Sequence, residues 1–229
     1  MERLRDHRDG LSGRTGMDLP VTQTAGVTFT AGAPTAGNSN ITGTSPVTAD
    51  GVATSAITIT LEDANSNPVS GVTPTFSATG SNNTLGICSA TTALGVSTCT
   101  LASTKAEVKT LSILTPVAVT GGTVTFQAGA LDHITISPPT ATIAAGGSQA
   151  YTATAFDQYN NTIGDVTGSA TFGIAPDGSC TGASCTATVA GGHTVTGTES
   201  GKTGAASLMV TPGATVSIDP QPGDDHGGR

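Results

Sequence analysis

The sequence predicts an all-β protein: two tandem β-sandwiches of immunoglobulin size, with disordered tails. Three observations carry this expectation. Thr makes up 43 of the 229 residues and Gly 31, whereas only 10% are charged and 3% aromatic. Thr and Val suit a pleated surface with one wet face, and Gly supplies turns. Short alternating runs bounded by Asn, Asp, Pro and Gly recur roughly every 8–12 residues, the rhythm of a sandwich. Finally, VTFTAGA at 27–33 returns as VTFQAGA at 124–130, an offset of 97 with six of seven residues identical. An interval near 100 is the length of one immunoglobulin-sized sandwich, and self-similarity at a fixed period marks a tandem array.

Taken in order, residues 1–20 read as a disordered or artefactual leader, because they are charged and lack the apolar stretch of a signal peptide. Residues 21–33 read as the orphan terminal strand of a preceding repeat. The first sandwich spans 34–130. In residues 52–61, Ile57, Ile59 and Leu61 alternate with Thr58 and Thr60, a half-buried strand. Asp63, Asn65, Asn67 and Pro68 then make a turn. Val72, Pro74, Phe76 and Ala78 share the next face, and Pro74, having no amide donor, places that strand at a sheet edge or on a bulge. Further strands are expected at Leu85–Ala90, Ser97–Leu101, Val108–Ile113 and Thr123–Ala128.

The second sandwich spans 131–211. Its expected strands are Ile134–Ser137, Ala141–Ala144, Tyr151–Phe156, Ser169–Ile174, Thr186–Val189, His193–Thr198 and Ala206–Val210. It is no close copy of the first, yet FDQYNNTIGDV at 156–166 echoes LEDANSNPVSG at 61–71. Residues 212–229 read as a linker and acidic, Gly-rich tail.

The formal net charge is −8, and Arg3, Arg5, Arg8 and Arg14 are half of the eight basic residues. The rest of the chain lacks the basic face that nucleic acid requires. No apolar run reaches transmembrane length.

Four cysteines form two local pairs, Cys88/Cys99 and Cys180/Cys185, each bracketing turn-rich sequence. No His is close to either pair and neither spacing is C-x-x-C, so zinc and redox chemistry are poorly supported. Cross-links across hairpins are the economical explanation, each stabilising by about 2–3 kcal/mol on loop-closure grounds. They imply an oxidising compartment. The alternative is four reduced, buried thiols.

ADGVATSAITITLEDANSNPVSGVTPTFSATG, followed by CSATTALGVSTCTLASTKAEVKTLS and GGTVTFQAG, resembles the bacterial immunoglobulin-like repeats of the intimin and invasin adhesins, the group 1 type, over about residues 38–129. Residues 131–211 look like another bacterial immunoglobulin-like repeat found in secreted and surface proteins. The resemblance implies immunoglobulin-like sandwiches, tandem arrangement and extracellular display, and it implies no catalytic residues. Members usually carry Gly where this chain has Ser66 and Asn160. Asn tolerates the left-handed conformation; Ser does so less readily, so a different turn is expected at Ser66.

Other chemistry finds little support. Asp63, Asn65 and Asn67 have the odd-position spacing of a calcium loop, and Asp157 with Asn161 partly repeats it, but Pro68 and Pro74 occupy positions where an EF-hand needs Gly and Glu. No metal site and no cofactor is expected, with Asp132 the one candidate for calcium between domains. The T-x-T pairs are solvent-facing strand residues rather than an ice-binding lattice. The histidines are scattered, His193 reads as a strand-surface imidazole, and no nucleophile elbow, P-loop or dinucleotide fingerprint occurs, so no catalytic residue is nominated. Tyr159, in a turn, is the only plausible exposed ring for stacking on a sugar.

The expectation is therefore a non-catalytic structural and adhesive spacer of a bacterial cell-surface or secreted protein, projecting a distal binding domain. Its partners would be a host or neighbouring-cell receptor or glycan, reached through flanking domains. The alternative is a carbohydrate-binding accessory module of a secreted hydrolase or phage virion protein.

Overall fold

The computed structural model describes residues 28–214. The leader at 1–20, residues 21–27 of the expected orphan strand and the tail from 215 lie outside them. Residues 28–33 form no strand; among the described residues the Gly32 amide bonds the Asp63 carboxylate, and a bridge joins Pro34 to Asp63.

The first sandwich has eight strands: β1 (Asn40–Gly43), β2 (Val47–Thr48), β3 (Ser55–Thr60), β4 (Thr75–Ala78), β5 (Asn83–Leu85), β6 (Val96–Ser103), β7 (Val108–Thr115) and β8 (Val119–Gln127). One sheet has the order β1-β3-β6-β5 and the other β2-β8-β7-β4. Alternation sets which face is inside. Ser55, Ile57 and Ile59 of β3 are buried, and Ala56 between them is exposed. Opposite them Leu111 and Ile113 of β7 and Val124 and Phe126 of β8 complete the core. A slip of one residue would turn each set to water, so the register is strongly specified. Pro74 precedes β4, which is both a sheet edge and bulged between Thr75 and Phe76. Gly122 has φ 66° and lies where a Cβ would come 2.5 Å from the Ile41 carbonyl, so no other residue fits without strain.

The second sandwich comprises β9 (His133–Ser137), β10 (Thr140–Ala144), β11 (Ser148–Ala150), β12 (Thr152–Phe156), β13 (Thr162–Asp165), β14 (Thr171–Ala175), β15 (Ser179–Thr181), β16 (Ser184–Thr186), β17 (Gly191–Glu199) and β18 (Lys202–Thr211). Its sheets run β13-β12-β9, β10-β18-β17-β14 and β11-β16-β15. Its core, around Ile134, Ile136, Tyr151, Phe172, Val195 and Leu208, is separate from that of the first.

Several expectations change. The strand expected over Leu85–Ala90 ends at Leu85; the following stretch runs beside β6, with the Gly86 and Ser89 amides donating to the Thr100 and Thr98 carbonyls. The strand expected at Thr186–Val189 is β16, which ends at Thr186, because the Ala187 carbonyl turns to accept from the Gly146 amide. His193 is buried, not on the strand surface: it faces inward from β17 opposite Leu208 of β18, with Asp177 of the β14–β15 turn 3.2 Å from Nε2 and the Gly191 carbonyl 3.2 Å from Nδ1. Ser66 takes the left-handed conformation after all, φ 60° against 61° at Asn160, because the Asp63 carboxylate closes the loop around it.

Candidate functional site

The echo between residues 61–71 and 156–166 is a shared loop, built on one aspartate in each sandwich. In the second sandwich the Asp157 amide donates to the Asn161 carbonyl and the Asn160 amide to the Asp157 carbonyl, both at 3.0 Å. Asp157 Oδ1 accepts from the amides of Tyr159 and Asn161, each at 2.9 Å. Its Oδ2 accepts from Asn161 Nδ2 and from the Gly129 amide, again at 2.9 Å. Gly129 belongs to the segment that leaves the first sandwich, so the carboxylate fixes the connecting chain. A short polar side chain that satisfies backbone amides is why Asp stands here.

From this loop two side chains reach the first sandwich. Asn161 Nδ2 donates to the Thr104 carbonyl at 2.9 Å, and its Oδ1 accepts from the Ala106 amide at 2.8 Å. Both groups belong to the turn between β6 and β7. The Tyr159 hydroxyl donates to the Asp50 carbonyl at 3.0 Å. Asn161 is buried to 1% exposure, and a carboxamide so enclosed, with both its ends bonded, fixes orientation as well as position. Burial pushes the Asp157 carboxyl up, but the Gly129 amide and the Asn161 side chain and amide outweigh it and hold the group below its ordinary value.

Asp63 repeats the construction. Its Oδ1 accepts from the Asn65 and Asn67 amides at 2.9 Å, and its Oδ2 from Asn67 Nδ2 at 3.0 Å and the Gly32 amide at 2.9 Å. The Asn67 side chain, the Gly32 amide and the Asn67 amide hold the Asp63 carboxyl well below the usual carboxylate range.

The structure places the other nominated residues as follows. Cys88 and Cys99 are joined, tying the 86–90 stretch to β6, and Cys180 and Cys185 are joined as direct partners across the β15–β16 hairpin. Tyr159 is 40% exposed and, with Thr48, Asp50, Ala130, Asp132 and Gln158, lines a cleft of about 450 Å3. Asp132 pairs with His133, Nδ1 to Oδ2 3.1 Å, and lies 4.0 Å from Lys202 Nζ. Among the described residues no three His, Cys, Asp or Glu side chains are grouped to hold a metal. Sequence reasoning found the two loops but missed the targets of the second, the Thr104–Ala106 turn and Asp50. Those contribute backbone atoms, which carry no signature in the sequence.

Fold and joint together define a protein of tandem immunoglobulin-like β-sandwiches coupled end to end. Residues 38–127, within the first sandwich, match the family model of the bacterial Ig-like domain (group 1). Solved structures share the fold. FdeC, an adhesin of Escherichia coli, has 23% identity and a TM-score of 0.56, over 81% of this chain and 67% of that one. InvD of Yersinia pseudotuberculosis has 29% identity and a TM-score of 0.50, over 82% of this chain and 62% of that one. Invasin, a bacterial integrin-binding protein, has 22% identity and a TM-score of 0.51, over 79% of this chain and 41% of that one. The chain thus spans less than two thirds of the InvD and invasin structures. No curated protein matches it.

Proposed function

We propose that this chain is a non-catalytic, adhesive spacer of a bacterial surface or secreted protein, which projects a distal binding domain toward a receptor or glycan on another cell. The observation that carries the reading is the joint. Asn161 and Tyr159 bond the second sandwich to the first at three points, and Asp157 fixes the connecting chain at Gly129. A catalyst has no need of such a coupling, whereas a projecting rod transmits reach and force through it. Each sandwich buries a core of its own, as the beads of a tandem array do. The two disulfides suit an oxidising, extracellular setting, and the likeness to adhesin domains supports surface display. Among the described residues no helix is long and apolar enough to cross a membrane. Small-angle scattering of residues 34–211 tests the reading: an elongated particle is expected, and a compact globule would sink it.

The second reading, a carbohydrate-binding module, draws on the Tyr159 ring beside the junction cleft. The hydroxyl is already committed to Asp50, so only the ring face would serve a sugar. Binding on a glycan array that disappears with Tyr159→Ala would favour it.

A further inference from the structure

We propose that the Asp63 loop is a docking seat for another immunoglobulin-like sandwich, joined through Gly32 and gripped by Asn67. The proposal rests on the spacer reading and adds to it a surface and an occupant. Two loops share one construction, and one of them is seen at work. Asp63 and Asp157 make the same six bonds, to the incoming glycine amide and to the equivalent positions of their own loops. In each, the same Asn amide nitrogen is oriented by the carboxylate, which turns Oδ1 outward. At the second loop that oxygen accepts from Ala106 of the neighbouring sandwich, and Asn161 is buried. At the first, Asn67 is exposed, and among the described residues nothing donates to its Oδ1.

The occupant is defined by the observed joint. It is a sandwich whose final strand runs into the Ala-Gly-Ala phrase and whose turn between the strands equivalent to β6 and β7 offers a carbonyl and, two residues later, an amide. Residues 27–33 carry that phrase in this chain, six of seven residues matching those that leave the first sandwich. The two joints are not equal. Asn65 stands where Tyr159 does, and its side chain has no phenolic hydroxyl to reach the Asp50 equivalent, so the Asp63 joint has two side-chain bonds where the Asp157 joint has three.

The test inserts a second copy of residues 34–127 between Thr30 and Ala31 of the full chain, so that the copy runs into Ala31-Gly32-Ala33. Amide residual dipolar couplings then report whether neighbouring sandwiches share one alignment. The inserted copy is expected to share the alignment of the sandwich that follows it, and to lose it with Asn67→Ala. It should lose it equally with Ala106→Pro in the copy alone, which deletes the donor from the other side. Native amide shifts in each sandwich establish that the variants fold. Asn161→Ala serves as the reference at the existing joint. If that joint is rigid and Asn161-dependent while the inserted copy reorients freely, this inference is overturned and the spacer reading stands. If shared alignment survives both Asn67→Ala and the proline, the seat is not built on Asn67. If even the existing sandwiches reorient freely, both readings fall.

Discussion

Lys109 is fully buried, and its Nζ lies 2.7 Å from Glu107 Oε1, on a strand position that alternation assigns to the core. The ammonium also donates to the Ser81 carbonyl at 2.9 Å and lies 5.8 Å from the centre of the Phe126 ring. Its four-carbon stem fills space between the sheets while its head reaches the polar end of the sandwich. Glu107 is partly open to water, so the pair is no sealed ion pair, and volume should matter more than charge. Lys109→Met is expected to change the unfolding free energy by less than about 1.5 kcal/mol, and Lys109→Ala to cost about 2–5 kcal/mol. Urea unfolding of the two variants checks this. Equal losses would show that the charge, not the stem, supports the core.

Ser66 holds φ 60° without the glycine that would take it freely. The left-handed region costs a residue bearing a Cβ about 1–2 kcal/mol, partly offset because Gly gains more freedom in the unfolded chain. Ser66→Gly should therefore stabilise the first sandwich by about 0.5–1 kcal/mol. Asn160→Gly should give less, since Asn tolerates this region. A lower urea midpoint for Ser66→Gly would mean that the hydroxyl holds the loop by a contact the backbone argument omits.

Tyr151 lies in the second core with 2% exposure, and among the described residues its hydroxyl has no hydrogen-bond partner. Burial accordingly pushes its pKa up. An unsatisfied buried hydroxyl costs about 1–3 kcal/mol, which Tyr151→Phe removes while keeping the ring. The expected result is a gain of about 1 kcal/mol in unfolding free energy. A loss would reveal a bonded hydroxyl.

What was legible in the sequence follows from what side chains announce. Ile57, Ile59 and Leu61 declared an inward face, and Pro74 declared an edge, because apolar alternation and a missing amide are properties of single residues. Short strands such as β2, β11 and β15 were not legible, since two or three residues hold too little alternation to rise above a turn. Lys109 and His193 defeated the pattern for the opposite reason. Each sits at an inward register position, and only the fold supplies the partners, Glu107 and Ser81 or Asp177, that make a polar group tolerable there. The joint was half visible. The Asp-to-Asn spacing of its loops announced polar turns, but nothing in it announced that both carboxylates are occupied by amides.

Those occupied carboxylates give the chain a defined response to acid. Asp63 and Asp157 are both held below their ordinary pKa in the folded state. Because the folded value is depressed, each contributes stability that is fully present above the unfolded value, about 4. That contribution is lost as pH falls through the lower, folded value. Melting temperature should therefore be flat from pH 7 to about pH 4, as far as these two groups set it, and decline below. Protonating Asp157 also weakens the acceptors that orient Asn161, so the joint should loosen in the same range. Asp157→Asn should lower the melting temperature of the second sandwich at neutral pH and flatten its acid decline, leaving that of the first in place. If the variant keeps the full decline of the second sandwich, other carboxylates set it, and the loop aspartates are not the acid-sensitive elements of the joint.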